Sequence, residues 1–282
     1  MYKNISLIDN LLSYHFIDFY KVTRKFVKGN IGMIKVALLY AGFKSVYPGM
    51  KIDTKAGIIN ATSIDEYRMA SDNYFRKAKI QNEVMAMAKE YSWLDVKGKD
   101  VIDIGANIGD SAIYFARRGA KHIYSYEPFP YSFDKAKINI KHEGIEKRVS
   151  LYNEGVSGKE ETIKINKQEK STGGSQIRNF KKGKRIKIRT LEYIVKSTKI
   201  NNAILKMDCE GSEYEILQNT DSHILQKFCQ IEIEYHYGYI NIATKLKASG
   251  FNVKIGRPTR IHNPKSQPSN MMVGLIFAKR HT

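Results

Sequence analysis

Carboxylates gather in two short stretches of this 282-residue chain. Leu205-Lys206-Met207-Asp208-Cys209-Glu210-Gly211-Ser212-Glu213 sets three acids at the end of an apolar run. Glu232-Ile233-Glu234-Tyr235-His236 closes a second apolar run, and strand alternation puts Glu232, Glu234 and His236 on one face. A carboxylate at such a strand end can accept a proton from a substrate hydroxyl, hold an ammonium group, or bind a divalent cation. Asp208, Glu210 and His236 are therefore the candidate catalytic residues. His236 can exchange a proton near neutral pH, although a lone histidine is more often structural. Asp208, Glu210, Glu234 and His236 together would make an oxygen-rich metal site with one imidazole. Glu213 reads as an acid that stabilises the start of the next helix.

A second kind of chemistry is written at Asp103-Ile104-Gly105-Ala106-Asn107-Ile108-Gly109. An apolar strand ends in small residues and turns straight into a helical pattern. Gly105 lets the backbone approach a ligand closely, and Gly109 suits tight strand–helix packing. Two ligand types compete for such a loop. A dinucleotide fold carries G-x-G-x-x-G and rests a pyrophosphate there. Here Asp103 precedes the first glycine, and an acid suits the ammonium and sulfonium of S-adenosylmethionine better. Glu127 ends the next strand, where it can accept both ribose hydroxyl hydrogens or simply mark a helix start. Pro128 then turns the chain. The candidate cosubstrate set is Asp103, Gly105, Ala106, Asn107, Gly109, Asp110, Ser111, Glu127, Pro128, Asn153, Glu154 and Asp208.

These residues need a sheet to position them. Apolar runs at 101–105, 122–126, 149–152, 203–207 and 230–235 read as strands, with helices at 111–118 and 130–143 between the first three. That βαβαβ rhythm predicts a parallel sheet with helices on both faces. Residues 252–256 and 271–278 read as two more strands, joined by the loop 257–270, able to pair antiparallel at one edge. Residues 1–95 form an N-terminal extension, mainly helical. It holds the periodic run Leu7, Ile8, Leu11, Leu12, Phe16, Phe19, Tyr20, a turn at Pro48-Gly49, a short hairpin over Met50–Ala61 and a helix over Asn82–Tyr91. Residues 96–282 carry the site, interrupted by a basic insertion at 159–189 with eleven Lys/Arg against three Glu. Within it, 162–166 and 185–189 alternate like a hairpin around the loop Ser171–Ser175.

The formal charge of +19 favours anionic partners, nucleic acid or an anionic membrane surface among them, or reflects a lysine-rich surface kept soluble. Two cysteines give no disulfide framework, so a reducing, cytoplasmic location is expected, with peripheral membrane attachment compatible. The longest apolar stretch, 31–43, is broken by Lys35 and falls short of the ~20 residues a spanning helix needs.

Three runs in order, VIDIGANIGDSAIYFARRGAKHIYSYEPFP, LKMDCEGSEYEIL and IEIEYH, resemble the FkbM family of S-adenosylmethionine-dependent methyltransferases over roughly residues 75–240. The resemblance implies an α/β, Rossmann-like class I methyltransferase fold with a seven-stranded, mostly parallel sheet. It implies O-methylation of a hydroxyl on a glycan, glycolipid or small metabolite, with S-adenosylhomocysteine as product. By the same resemblance Asp103, Gly105, Asn107, Gly109 and Glu127 bind the cosubstrate, and Asp208 and Glu210 face the transferring methyl. The first ~75 residues and the basic insertion lie outside it and are expected to help choose the acceptor. No Asn/Asp-Pro-Pro-aromatic run follows the fourth strand, which argues against methylation of an exocyclic base amine. The rival expectations are a methyltransferase acting on RNA or protein through its basic surface, and a non-catalytic scaffold bound to a membrane or partner.

Overall fold

The computed structural model describes residues 23–25, 27–40, 50–54, 57–61, 67, 80–81, 84, 87, 90–166, 179–260 and 271–280. The periodic run 7–20, Pro48-Gly49, the loop 171–175 and residues 261–270 lie outside the described residues. Two compact units divide between Lys79 and Ile80. In the first, helix α1 (Gly29–Tyr40) and the antiparallel hairpin β1 (Met50–Thr54) and β2 (Gly57–Ala61) share a small core. Met33, Val36 and Leu39, three residues apart, bury one helix face against Val27, Ile52 and Tyr67. The hairpin lies where the sequence placed it.

The domain boundary expected at residue 95 moves to 79/80. Ile80, Val84, Tyr91, Leu94 and Val96 pack with Val101, Phe115 and Ile204, so the segment expected as the extension's last helix belongs to the second unit. Its described positions 80, 81, 84, 87 and 90 are helical.

The second unit runs β3 (Asp100–Ile104), α2 (Asp110–Arg117), β4 (His122–Tyr126), α3 (Pro130–His142), β5 (Val149–Tyr152), β6 (Gly155–Val156), β7 (Glu161–Ile165) and β8 (Lys184–Arg189). It continues through α4 (Leu191–Thr198), β9 (Ala203–Met207), α5 (Glu213–Gln218), α6 (Ser222–Leu225), β10 (Phe228–Tyr235), α7 (Ile240–Ala248), β11 (Phe251–Ile255), β12 (Thr259–Arg260) and β13 (Met272–Arg280). The main sheet has the order β11-β13-β10-β9-β3-β4-β5, with β12 paired to β13. Pairing is parallel from β10 to β5, while β13 is antiparallel to both β10 and β11. This is the seven-stranded, mostly parallel architecture expected. The chain adds β4 and β5 on one side of β3 and then crosses to β9 and β10 on the other. Ligands of open α/β sheets bind at such a reversal, outside the strands' carboxyl ends.

Strand alternation separates two apolar layers. Ile102, Ile104, Leu205, Met207, Ile231 and Ile233 meet Leu191, Ile194, Leu217 and Leu246 on one face. Val101, Ile123, Val149 and Ile204 meet Ala112, Phe115 and Ile140 on the other. Two residues further along, that second face turns polar. Ser125, Asp103, Lys206 and Glu232 stand side by side on β4, β3, β9 and β10, all buried.

The basic insertion supplies β7 and β8, which join β6 just before it in a separate three-stranded sheet ordered β6-β8-β7. Ile163, Ile165, Ile186 and Ile188 pack against Phe129, directly after Glu127-Pro128. The alternate positions leave Arg185 and Lys187 exposed, with Lys164 partly so.

Ile204 is fully buried between β3 and β10. Ile204→Ala should destabilise the protein by about 2–5 kcal/mol, read from urea unfolding. A loss well under 1 kcal/mol would mean the sheet is not packed as described.

Candidate active site

The ends of β3 and β9 touch through their backbones. Gly105 adopts φ 81°, and a Cβ there would stand 1.8 Å from the Asp208 carbonyl oxygen, so only glycine fits. The Asp208 amide donates to the Ile104 carbonyl at 3.1 Å. Four of the loop's amides, those of Gly105, Ala106, Asn107 and Gly109, donate within the fold. Gly105 and Ala106 amides both donate to the Tyr126 carbonyl, at 3.0 and 3.1 Å, and the Gly109 amide donates to Ala106 at 2.7 Å. The Asn107 amide donates to Glu127 Oε2 at 2.8 Å, and the Phe129 amide to Glu127 Oε1 at 2.9 Å. Glu127 thus ties together the loops after β3 and β4. At the start of α2, the Asp110 carboxyl lies beside its own amide and that of Ser111. A pyrophosphate would find these donors engaged and a carboxyl in the way. Burial pushes Glu127 up to about 8 and Asp110 up to about 6.

Asp103 lies beneath this loop rather than in it. It is fully buried, and its Oδ2 accepts bonds from Ser111 Oγ at 2.8 Å and Ser125 Oγ at 3.0 Å. Its Oδ1 lies 3.2 Å from Lys206 Nζ. Lys206 was not among the sequence candidates. The signal available was one lysine inside the otherwise apolar strand Ala203–Met207, with an acid in the neighbouring strand. Asn153 Nδ2 donates to the carbonyls of Glu127 and Pro128, at 2.9 and 3.0 Å, and its Oδ1 accepts from Lys184 at 2.6 Å. Glu154 is held by Arg189 through two bonds of 2.9 and 3.1 Å. Asn153 thus braces the loop after β4, while Glu154 ties the segment after β5 to the end of β8. Ala106 and Pro128 are buried within the same turns.

The expected catalytic acids do converge. Glu213, fully buried at the first position of α5, accepts bonds from the Cys209 and Gly211 amides, each at 2.8 Å, and so shapes the loop carrying Glu210. His236, also buried, sets Nδ1 3.2 Å from Glu213 Oε1 and Nε2 3.2 Å from Glu210 Oε2. The Nε2 atom stands 3.9 Å from Asp208 Oδ1. Asp208, Glu234 and His236 each offer a ligand atom within 4.8 Å of the others, a spacing a divalent cation can bridge. Burial opposes the charge of His236, but Glu210 and Glu213 outweigh it and push the imidazole up to about 11. A histidine so held favours its protonated form, which counts against it as the base. Burial raises Asp208 as well, and burial together with Asp208 raises Glu234 to about 8.

Residues 103–253 match the Methyltransferase FkbM domain, a span holding the glycine loop, Glu127, Asp208 and His236. A Methanocaldococcus jannaschii protein named as an N5-glutamine methyltransferase is 34% identical over 99 residues, 32% of this chain and 49% of that one. An uncharacterised protein of the Sulfolobus islandicus filamentous virus is 54% identical over 37 residues, 13% of this chain and 23% of that protein. The chain therefore spans less than half the length of these curated relatives. A solved rRNA methylase from Streptococcus thermophilus aligns with a TM-score of 0.42 at 12% identity, covering 70% of this chain and 95% of that one.

Glu232 supplies a test of the buried electrostatics. Neither of its carboxyl oxygens has a hydrogen-bond partner among the described residues, and burial, then Glu90, pushes it up to about 8. A carboxyl raised in the folded state favours folding most below its unfolded value, and that contribution is lost as pH rises through the folded one. Glu232→Gln should therefore flatten the fall in stability between about pH 4.5 and 8. Above that window it should be more stable than the wild type by about 1–3 kcal/mol. Thermal unfolding across pH reads this directly, and an unaltered slope would show that Glu232 carries no such strain.

Proposed function

This chain belongs to the FkbM methyltransferase family, and from that premise we propose that it methylates a hydroxyl of a glycan, glycolipid or small metabolite using S-adenosylmethionine. The observation that carries the reading is the glycine loop, with four of its amides engaged internally and carboxyls around it. Such a loop suits an adenosine ligand that is cationic and lacks phosphate.

S-adenosylmethionine brings a methyl group already activated on a sulfonium, so the protein's share is alignment and proton acceptance. Glu127 receives the ribose hydroxyls, since each of its oxygens accepts one backbone bond and a carboxylate offers about four lone-pair sites. Asp110 and Glu234 favour the positive end of the ligand. Asp208 takes the acceptor's hydroxyl proton as the new C–O bond forms and the C–S bond breaks, its electrons remaining on sulfur. Burial has raised its basicity, while Lys206 and the charged His236 oppose that rise. His236, expected as an alternative base, instead orders the acids around Asp208.

A second reading, an anionic acceptor such as RNA, rests on the β7–β8 hairpin. Lys164 stands directly opposite Arg185, and Lys181, Lys182 and Lys187 are exposed nearby. Like charges opposed across strands are destabilising unless an anion covers them. A gel shift that weakens steeply with salt would favour this acceptor class, and no shift at low salt would remove it.

Glu127→Ala should weaken S-adenosylhomocysteine binding by at least about tenfold in calorimetry; undiminished affinity would sink the assignment. Asp208→Asn should keep that affinity while lowering turnover on the true acceptor by about 10²–10⁴. Retained turnover would place the base elsewhere.

A further inference from the structure

Strand β9 is buried along its whole length, and Lys206 is its one charged residue. The row beside it, Ile123, Val101 and Ile204, is entirely apolar, so the sheet itself has no need of charge on this face. Lys206 is nonetheless only 2% exposed and carries three donors, all directed at the end of β3. Its Nζ lies 2.7 Å from the Gly105 carbonyl, 3.3 Å from that of Ile104 and 3.2 Å from Asp103 Oδ1. Asp103 in turn holds Ser111, in the first turn of α2. The segment from Gly105 to Ser111 is therefore gripped at both ends through one buried pair. A buried ion pair adds little net stability over apolar residues of similar size, so its place at the loop calls for another explanation.

We propose that Lys206 is a positioning residue, whose ammonium fixes the Gly105 carbonyl and the end of β3 in the shape the cosubstrate meets. The inference rests on reading the glycine loop as the cosubstrate site. Lys206 bonds the backbone at the end of β3 and pairs with Asp103, with no hydrogen bond to the proposed base Asp208 among the described residues. It removes the ordering that the loop would otherwise undergo on binding.

Lys206→Met alone leaves Asp103 buried without its cation and can fail to fold for that reason. The informative variant is Lys206→Met combined with Asp103→Asn, which removes both charges at similar volume. A companion, Lys206→Gln with Asp103→Asn, keeps one donor for the carbonyl. Calorimetry with two probes, S-adenosylhomocysteine and adenosine, is read beside thermal unfolding. The methionine-bearing variant should lose at least tenfold in S-adenosylhomocysteine affinity but less than threefold for adenosine, whose ribose Glu127 still receives. The glutamine-bearing variant should recover part of the loss. A folded variant binding S-adenosylhomocysteine within threefold of wild type overturns the proposal. So does an equal loss for both probes, which marks general loosening, or a glutamine variant no better than the methionine one. Wild-type protein that binds neither probe overturns instead the cosubstrate reading on which the inference stands.

Discussion

Lys206 and Asp103 face each other across adjacent strands where water is excluded, and neither charge is tolerable there without the other. Much of the site depends on that arrangement. Lys206 is the nearby cation that draws Asp110, Glu127, Asp208 and Glu232 down against the upward pull of burial. Burial works against the lysine's own charge too, yet Asp103, Asp208 and Asp110 together hold the ammonium above its ordinary range. One cation placed beneath several carboxyls lets the acids gather at the strand ends without leaving the row beneath them uncompensated.

The same economy recurs on β10. His236 stands between Glu210 and Glu213, and Glu213 also receives two amides of the loop between β9 and α5. A single buried acid therefore shapes a backbone turn and secures a cation. The outer surface is the reverse of this interior. The chain is basic overall, yet the described groups at the carboxyl ends of β3, β9 and β10 are mainly acidic. Charge of opposite sign is thus kept in separate places, the acids in the interior and the lysines on the β7–β8 hairpin.

The strands were legible because each is a short apolar run bounded by Gly, Asn or charged residues. Residues 122–126, 149–152 and 203–207 fall within the bounds expected, and β10 begins two residues earlier. The hairpin in the insertion was legible from alternation alone. The domain boundary was not, since the apolar positions Ile80, Val84 and Tyr91 say that a helix is buried but not which core buries it. Asp103 was recognised as important, but its buried partners were not. Alternation with Val101 already turns it toward the helical layer, but its partner lies on a strand a hundred residues away. The charge of His236 was hidden for a similar reason. It is set by two acids on another loop, and no local pattern around His236 announces them. Glu213 does open a helix as expected, yet its amide bonds are a tertiary fact.

The position of β13 has a consequence for how the molecule is made. This strand lies between β10 and β11, and β11 joins the sheet only through it. During synthesis, β11 leaves the ribosome with no partner to accept its backbone hydrogen bonds, and β10 presents an open edge. Both remain so until Met272–Arg280 has been translated and inserted between them. The strands of the parallel half, with the glycine loop, are all translated before β13, whereas the antiparallel half must wait for that last strand. Premature termination within the last strand would therefore leave two adjacent edges exposed at once, a form suited to capture by chaperones and prone to pair with other chains.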